Sequence, residues 1–219
     1  MSSTDDYKEL LRDRVGPALR SLGFKGSGSR WTLAAANGDR AIVNAQSSSG
    51  SSKADVLFVI NLAVVPAPWW AWQCINLSQD PGSAPKEYDG LWRDRLHSQR
   101  GTLQRGSEAW WSVRDRASAT VCAEDVVEQL QSDAVPRLRA LLVRENLAAS
   151  ARDGDMGFLQ GEQHRKFFDR ALAALIVDQG PSKELDRLIG CIEADPEERQ
   201  HAANGRYVKW LRDRSAMAG

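Results

Sequence analysis

From Tyr7 the apolar positions Leu10, Leu11, Val15, Ala18, Leu19 and Leu22 recur at three- and four-residue intervals, the period of a helix with one buried face. Ser3 or Thr4 can cap its start, and Gly23 stands where a left-handed residue ends a helix. Gly16-Pro17 removes an internal hydrogen bond, so a kink or split is expected there. After Phe24 the pattern turns to short extended runs. Positions 30–36 and 40–47 read as antiparallel strands joined at Asn37-Gly38-Asp39, a strong local hairpin signal. The serine-rich run 47–52 has no side chains able to pack and reads as a flexible loop. Positions 55–65 are apolar on both faces, as a central strand covered on each side requires.

Pro66, Pro68, Pro81 and Pro85, with Gly82 and Gly90 nearby, predict a mostly irregular stretch over 66–90, although Trp69-Trp70-Ala71-Trp72 within it needs burial. Trp110-Trp111-Ser112-Val113 reads as another strand. Neighbouring residues on a strand face opposite sides, so one of its two tryptophans is expected at a surface or a second layer. From Ala123 the helical period returns: Val126, Val127 and Leu130 mark one helix, and Leu138, Leu141 and Leu142 a second that Pro136 is placed to open. Two further stripes follow, Phe167, Phe168, Ala171, Leu172, Leu175 and Ile176, then Leu185, Leu188, Ile189 and Ile192 after Pro181-Ser182. A last helix from about Pro196 carries Tyr207, Trp210 and Leu211. Gly154-Asp155-Met156-Gly157 is the expected boundary between a body (1–153) and a helical C-terminal extension (154–219). The fold class is α/β of the α+β type: a small, mainly antiparallel sheet packed with helices, plus that extension.

Composition narrows the picture. Hydrophobic residues are 42% and charged residues 26% of the 219, ordinary globular usage that predicts a folded chain. Twenty-nine basic residues balance 29 acidic ones, so no global field draws the molecule to nucleic acid or an anionic membrane. The longest apolar run, 56–65, is broken by Asn61, ended by Pro66, and too short to span a bilayer. The first residues lack a basic segment followed by an apolar one. Three widely spaced cysteines, Cys74, Cys122 and Cys191, fit a reducing compartment and burial better than a disulfide framework. These features place the chain in the cytosol.

The helix ending in Leu22-Gly23-Phe24-Lys25, the strand running into Asn44-Ala45-Gln46-Ser47-Ser48, the strand Phe58-Val59-Ile60-Asn61-Leu62 and the later Trp110-Trp111 resemble the domain of unknown function 4304 family over roughly residues 5–150. The resemblance implies the α/β body. It supplies no activity, and the scatter of such proteins through bacteria implies an accessory or interaction role.

Tests for chemistry are largely negative. His97, His164 and His201 have no histidine or cysteine within five positions, so the spacing of a metal site is missing. No nucleophile elbow is present, and the cysteines lack the local signatures of cysteine enzymes. Gly26-Ser27-Gly28-Ser29 precedes a strand rather than opening a helix, unlike a phosphate-binding glycine loop. Asp55 at a strand start, near Gln46 and Lys53, lacks the acidic partner that a metal-dependent nuclease needs. No catalytic residue, metal or cofactor is assigned. The concentration of aromatic and basic residues is more informative. Eight tryptophans occur, five of them in two clusters, with Arg93, Arg95, Arg100, Arg105, Arg114 and Arg116 around the second. Tryptophan beside arginine suits a partner surface. The candidate partner-binding set is therefore Trp69, Trp70, Trp72, Trp110, Trp111, Arg93, Arg95 and Arg100, and the expected function is a non-enzymatic protein-interaction module, such as an immunity or defence accessory. The alternative is an enzyme or binder acting on nucleic acid or a phosphorylated ligand.

Overall fold

The computed structural model describes residues 2–100, 104–105, 108–194 and 201–218, with the backbone alone at Gln104, Arg105, Glu108 and His201. The chain opens with α1 (Ser3–Leu10) and α2 (Gly16–Ser21), joined by a π turn, Leu11–Val15. Ser2, one position before the expected caps, closes a reciprocal capping box with Asp5. Then come β1 (Lys25–Ser27), β2 (Arg30–Ala34), β3 (Arg40–Ser47), β4 (Val56–Val65), α3 (Ala67–Leu77), β5 (Trp92–Leu96), β6 (Gln104–Arg105), β7 (Glu108–Ala109) and β8 (Trp111–Val113). The C-terminal half holds α4 (Arg116–Gln129), α5 (Val135–Leu141), α6 (Arg144–Asp153), β9 (Asp155–Met156), β10 (Leu159–Gln160), α7 (Arg165–Ile176), α8 (Lys183–Glu193) and α9 (His201–Ala218). The fold is α+β.

Two expected breaks become continuous helix by one device. A second π turn, Leu130–Ala134, links α4 to α5. A proline ring collides with the carbonyl four residues back in a regular helix. For Pro17 and Pro136 those carbonyls belong to Asp13 and Ser132, and each lies inside a π turn, whose wider winding moves it aside. Neither proline splits its helix.

The main sheet is antiparallel in the order β1-β2-β3-β4-β5. β4 is its centre, and two short strands share its far edge: β8 pairs with Val56–Phe58 and β5 with Ile60–Val64. All ten residues of β4 are buried. Phe58, Ile60, Leu62 and Val64 project to one face, where Phe58 lies 5.1 Å from the Tyr7 ring of α1 and stacks on Trp111 at 5.4 Å. Helices α1, α2, α4 and α5 cover that face.

The stretch 66–90 is not mostly irregular. Pro66 caps α3 and Pro68 sits in its first turn, so the prolines start a helix instead of preventing one. The charged segment Trp92–Leu96, taken as part of a basic stretch, is strand β5. Helices α6 to α9 pack in succession, with α7 against α3. Trp72 of α3 packs on Tyr207 and Trp210 of α9 at 4.8 and 5.8 Å, and buried apolar residues from Leu10 to Leu211 form one core. Asp39, 1% exposed at the β2–β3 turn, accepts two hydrogen bonds from Arg144 (2.8 and 2.9 Å) and one from the Ala67 amide (2.8 Å). Arg144 also binds Asp178, which holds Arg214 of α9. The start of the last helix, expected near Pro196, lies outside the described residues.

Candidate functional site

The second face of β4 differs in chemistry. Directly paired residues of antiparallel strands share a face, and the register aligns Arg30, Asn44, Asn61 and Arg95 in one row across β2, β3, β4 and β5. Asn44 and Asn61 are buried. Asn61 Nδ2 donates to Gln46 Oε1 at 2.7 Å, Arg95 Nε donates to Asn61 Oδ1 at 2.9 Å, and Asn44 Nδ2 donates to the Ser29 carbonyl at 3.3 Å. Polar groups at the centre of a sheet are tolerated when bonded in this way.

Two loops wall this row. The turn 87–90 lies on the sheet because Gly90 has no side chain: a Cβ there would stand 2.8 Å from that of Ala63. The β9–β10 turn hydrogen-bonds the edge of β5, Phe158 N donating to the Arg93 carbonyl at 2.7 Å. Gly157, at φ +78, makes that approach possible, since a Cβ would lie 1.9 Å from the same oxygen. Between the walls is a polar hollow of about 240 Å³ lined by Gln46, Asn61, Glu87, Arg93, Arg95 and Phe158 among others. Within this region Arg30 Nη2 lies 3.3 Å from Glu87 Oε2, yet Arg30 Nε and Glu87 Oε2 are buried without a hydrogen-bond partner. Such groups are uncommon in a finished interior.

Beside it is a second, more apolar hollow of about 320 Å³, lined in part by Trp69, Leu77, Met156, Leu159 and Phe167. Tyr88, Arg93 and Phe158 border both. Leu77, Tyr88 and Phe158 are 53%, 56% and 47% exposed, a concentration of accessible apolar surface of the kind found at interaction sites. Arg93 Nη1 donates to the Tyr88 carbonyl at 3.4 Å and, among the described residues, meets no carboxylate at ion-pair distance. Asp94 is held by Arg137 at 2.8 Å, while the Arg95 guanidinium lies 5.6 Å from the Phe158 ring centroid.

The structure divides the residues singled out from sequence. Arg93, Arg95 and Trp69 come together here, Trp69 anchoring the wall by donating Nε1–H to the Asp89 carbonyl (3.1 Å). A helix, not an irregular stretch, carries the first tryptophan cluster, so its rings diverge: Trp70 lines a separate hollow with Arg40 and Pro85, and Trp72 is interior. Trp111 is 1% exposed and donates to Asp125 at 2.9 Å, whereas Trp110 is half-buried. Arg100 is remote from the groove, paired with Glu128 and, at 3.7 Å, with Glu124 of α4. The side chain of Arg105 lies outside the described residues. Sequence reasoning overlooked Arg30, Asn44, Asn61, Tyr88 and Phe158; the one local signal was Asn61 interrupting an apolar strand.

Burial pushes the Cys122 thiol up to about 11 and that of Cys74 upward as well, so both stay protonated at neutral pH. Cys191, expected to be buried, is exposed. Among the described residues no group of three or more His, Cys, Asp or Glu could hold a metal ion, and no helix is long and apolar enough to cross a membrane. No curated protein and no solved structure matches the chain. Residues 15–140, which carry all four strands of the polar row and the turn 87–90, match the family described as Domain of unknown function (DUF4304), and the chain belongs to that family.

Proposed function

We propose that this protein is a non-enzymatic protein-interaction module of the cytosol, with the groove beside β5 as its recognition surface. The observation that carries the reading is the joining of two hollows at Tyr88, Arg93 and Phe158, one polar and one apolar, with apolar side chains left exposed along the apolar one. An interface needs apolar anchors for affinity and placed polar groups for orientation. Both kinds are present within a single groove. Capture of another protein is the work of an immunity or accessory protein, and Trp69, Arg93 and Arg95 are the residues of the sequence-derived set that serve it here.

Photocrosslinking tests this reading. A benzophenone amino acid at Leu77 or Phe158 is expected to trap a specific protein in the native cell, while the same group at Val121 on α4, 46% exposed, is expected not to. Equal crosslinking at all three positions, or none at the groove, would sink the proposal. The second reading, a binder of a phosphorylated ligand or nucleic acid, is favoured by Arg93 and Arg95 in one hollow. It is weakened by Arg95 being already engaged by Asn61 and Phe158, because phosphate and nucleic acid favour several available cationic groups.

A further inference from the structure

Resting on that reading, we infer that the occupant is an extended acidic segment of another protein, with an aspartate or glutamate side chain paired to Arg93 and a large apolar side chain in the Trp69–Tyr88–Phe158 hollow.

Charge selects the first half of this occupant. The carboxylates near Arg93 already have partners: Asp94 is bound by Arg137, Glu87 lies against Arg30, and Asp89 accepts from the Lys86 amide at 2.8 Å. Arg95 is engaged with Asn61 and Phe158. Among the described residues the Arg93 guanidinium bonds only to a backbone carbonyl, so its positive charge at the groove has no carboxylate counterpart there. A planar guanidinium presents paired donors that match a carboxylate, and a low-dielectric apolar neighbourhood strengthens that match.

Shape selects the second half. The apolar hollow, about 320 Å³, has aromatic walls in Trp69 and Phe167, whose rings meet edge to face at 6.3 Å. Waters there, at about 30 Å³ each, meet largely apolar walls and are readily displaced by a ring or a branched aliphatic chain. Because Arg93 borders both hollows, the two groups of the partner must be close in its chain. An extended strand advances about 3.3 Å per residue, so the acidic and apolar residues fall one or two positions apart.

Phosphate and nucleic acid fit less well. They favour several cationic groups around an oxyanion, whereas here, among the described residues, a single guanidinium without a carboxylate partner stands beside an aromatic wall.

The test uses fluorescein-labelled, N-acetylated and C-amidated peptides of glycine and serine that carry one tryptophan and one aspartate, adjacent or one residue apart. Fluorescence polarisation with the full chain is expected to register binding that weakens at least about fivefold when asparagine replaces the aspartate. Arg93→Glu is expected to abolish binding of the aspartate peptide and to create binding of its lysine counterpart. That gain cannot come from a variant that has failed to fold. Equal affinity for the aspartate and asparagine peptides overturns the inference, as does tighter binding of a phosphoserine peptide or a short oligonucleotide. A groove that crosslinks a protein in cells but binds none of the aspartate peptides leaves the interaction module standing and removes the acidic occupant. Crosslinking only to a second copy of this chain also removes it.

Discussion

The two faces of β4 are both buried, yet they are built from different material. One face sets Phe58, Ile60, Leu62 and Val64 against tryptophans and four helices, with Trp111 tied to Asp125 and Asp125 also bonded to Ser98, the Gln99 amide and Gln129. The other sets Asn61 between Asn44 and Arg95 and leaves Arg30 Nε and Glu87 Oε2 without hydrogen bonds. A strand that needed only stability would be apolar on both faces, because polar groups in an interior cost free energy unless every bond is made. The polar row is therefore where selection for something other than packing is visible.

The largest expected break is on the apolar face. Phe58→Ala removes a fully buried ring that touches Tyr7 and Trp111 and is expected to destabilise the protein by about 3–5 kcal/mol, read from urea unfolding. A loss below about 1 kcal/mol would mean that this face is not the main packing layer. Asp39→Ala follows at about 3 kcal/mol, since it leaves the Ala67 amide without its acceptor and the part-buried Arg144 guanidinium with Asp178 alone. A loss near zero would show that the ties from Asp39 to α3 and α6 carry no weight.

Much of the apolar half of this contrast was legible in the chain. The Asn37-Gly38-Asp39 turn marked the β2–β3 hairpin, a continuous apolar run marked β4, and three- and four-residue spacing marked the helices, because these signals are local. β5 was hidden: Trp-Arg-Asp-Arg-Leu has the polarity of a loop and becomes a strand only through pairing with Ile60–Val64, about thirty residues away in sequence. Helix α3 was masked by prolines whose meaning depends on whether they stand at a helix start or inside it. The polar row could not be seen either, since Arg30, Asn44, Asn61 and Arg95 become neighbours only through register. Trp69 and Arg93 were noticed for their residue type, but what separates them from Trp111 and Arg100 is tertiary placement.

Acid should sharpen the comparison, because the apolar face depends on a buried carboxylate. Burial pushes Asp125 up, but hydrogen bonds from Gln129, the Gln99 amide, Trp111 and Ser98 more than offset it, so its net shift is downward. Asp178 follows the same pattern, with Arg214 and Arg144 outweighing burial. A carboxyl depressed in the folded state contributes stability above its unfolded value of about 3.9 and loses it as pH falls through the folded value. Melting temperature is thus expected to hold between pH 7 and about pH 5 and to drop below that. Asp125→Asn should start lower and fall less steeply. An unchanged slope in that variant would detach Asp125 from the acid sensitivity of this layer.

The smallest expected effect is the most telling. Asn44→Val with Asn61→Val replaces the centre of the polar row by β-branched residues suited to a central strand. It removes a donor to Gln46 and an acceptor of Arg95, but those two groups border a hollow where water can take over. Because Gln46 and Arg95 can turn to water there, the loss of the Asn61 bonds is small and is offset by the added apolar packing, so unfolding free energy should change by no more than about 1 kcal/mol in either direction. Crosslinking through a benzophenone amino acid at Leu77 should nevertheless fall sharply, because Arg95 loses the Asn61 bond that helps to hold it beside the Phe158 ring. If the double variant instead unfolds as readily as Phe58→Ala, the row is structural and the two faces of β4 do the same job. If it keeps both stability and crosslinking, recognition lies in the apolar hollow alone, and the asparagines have no part in it.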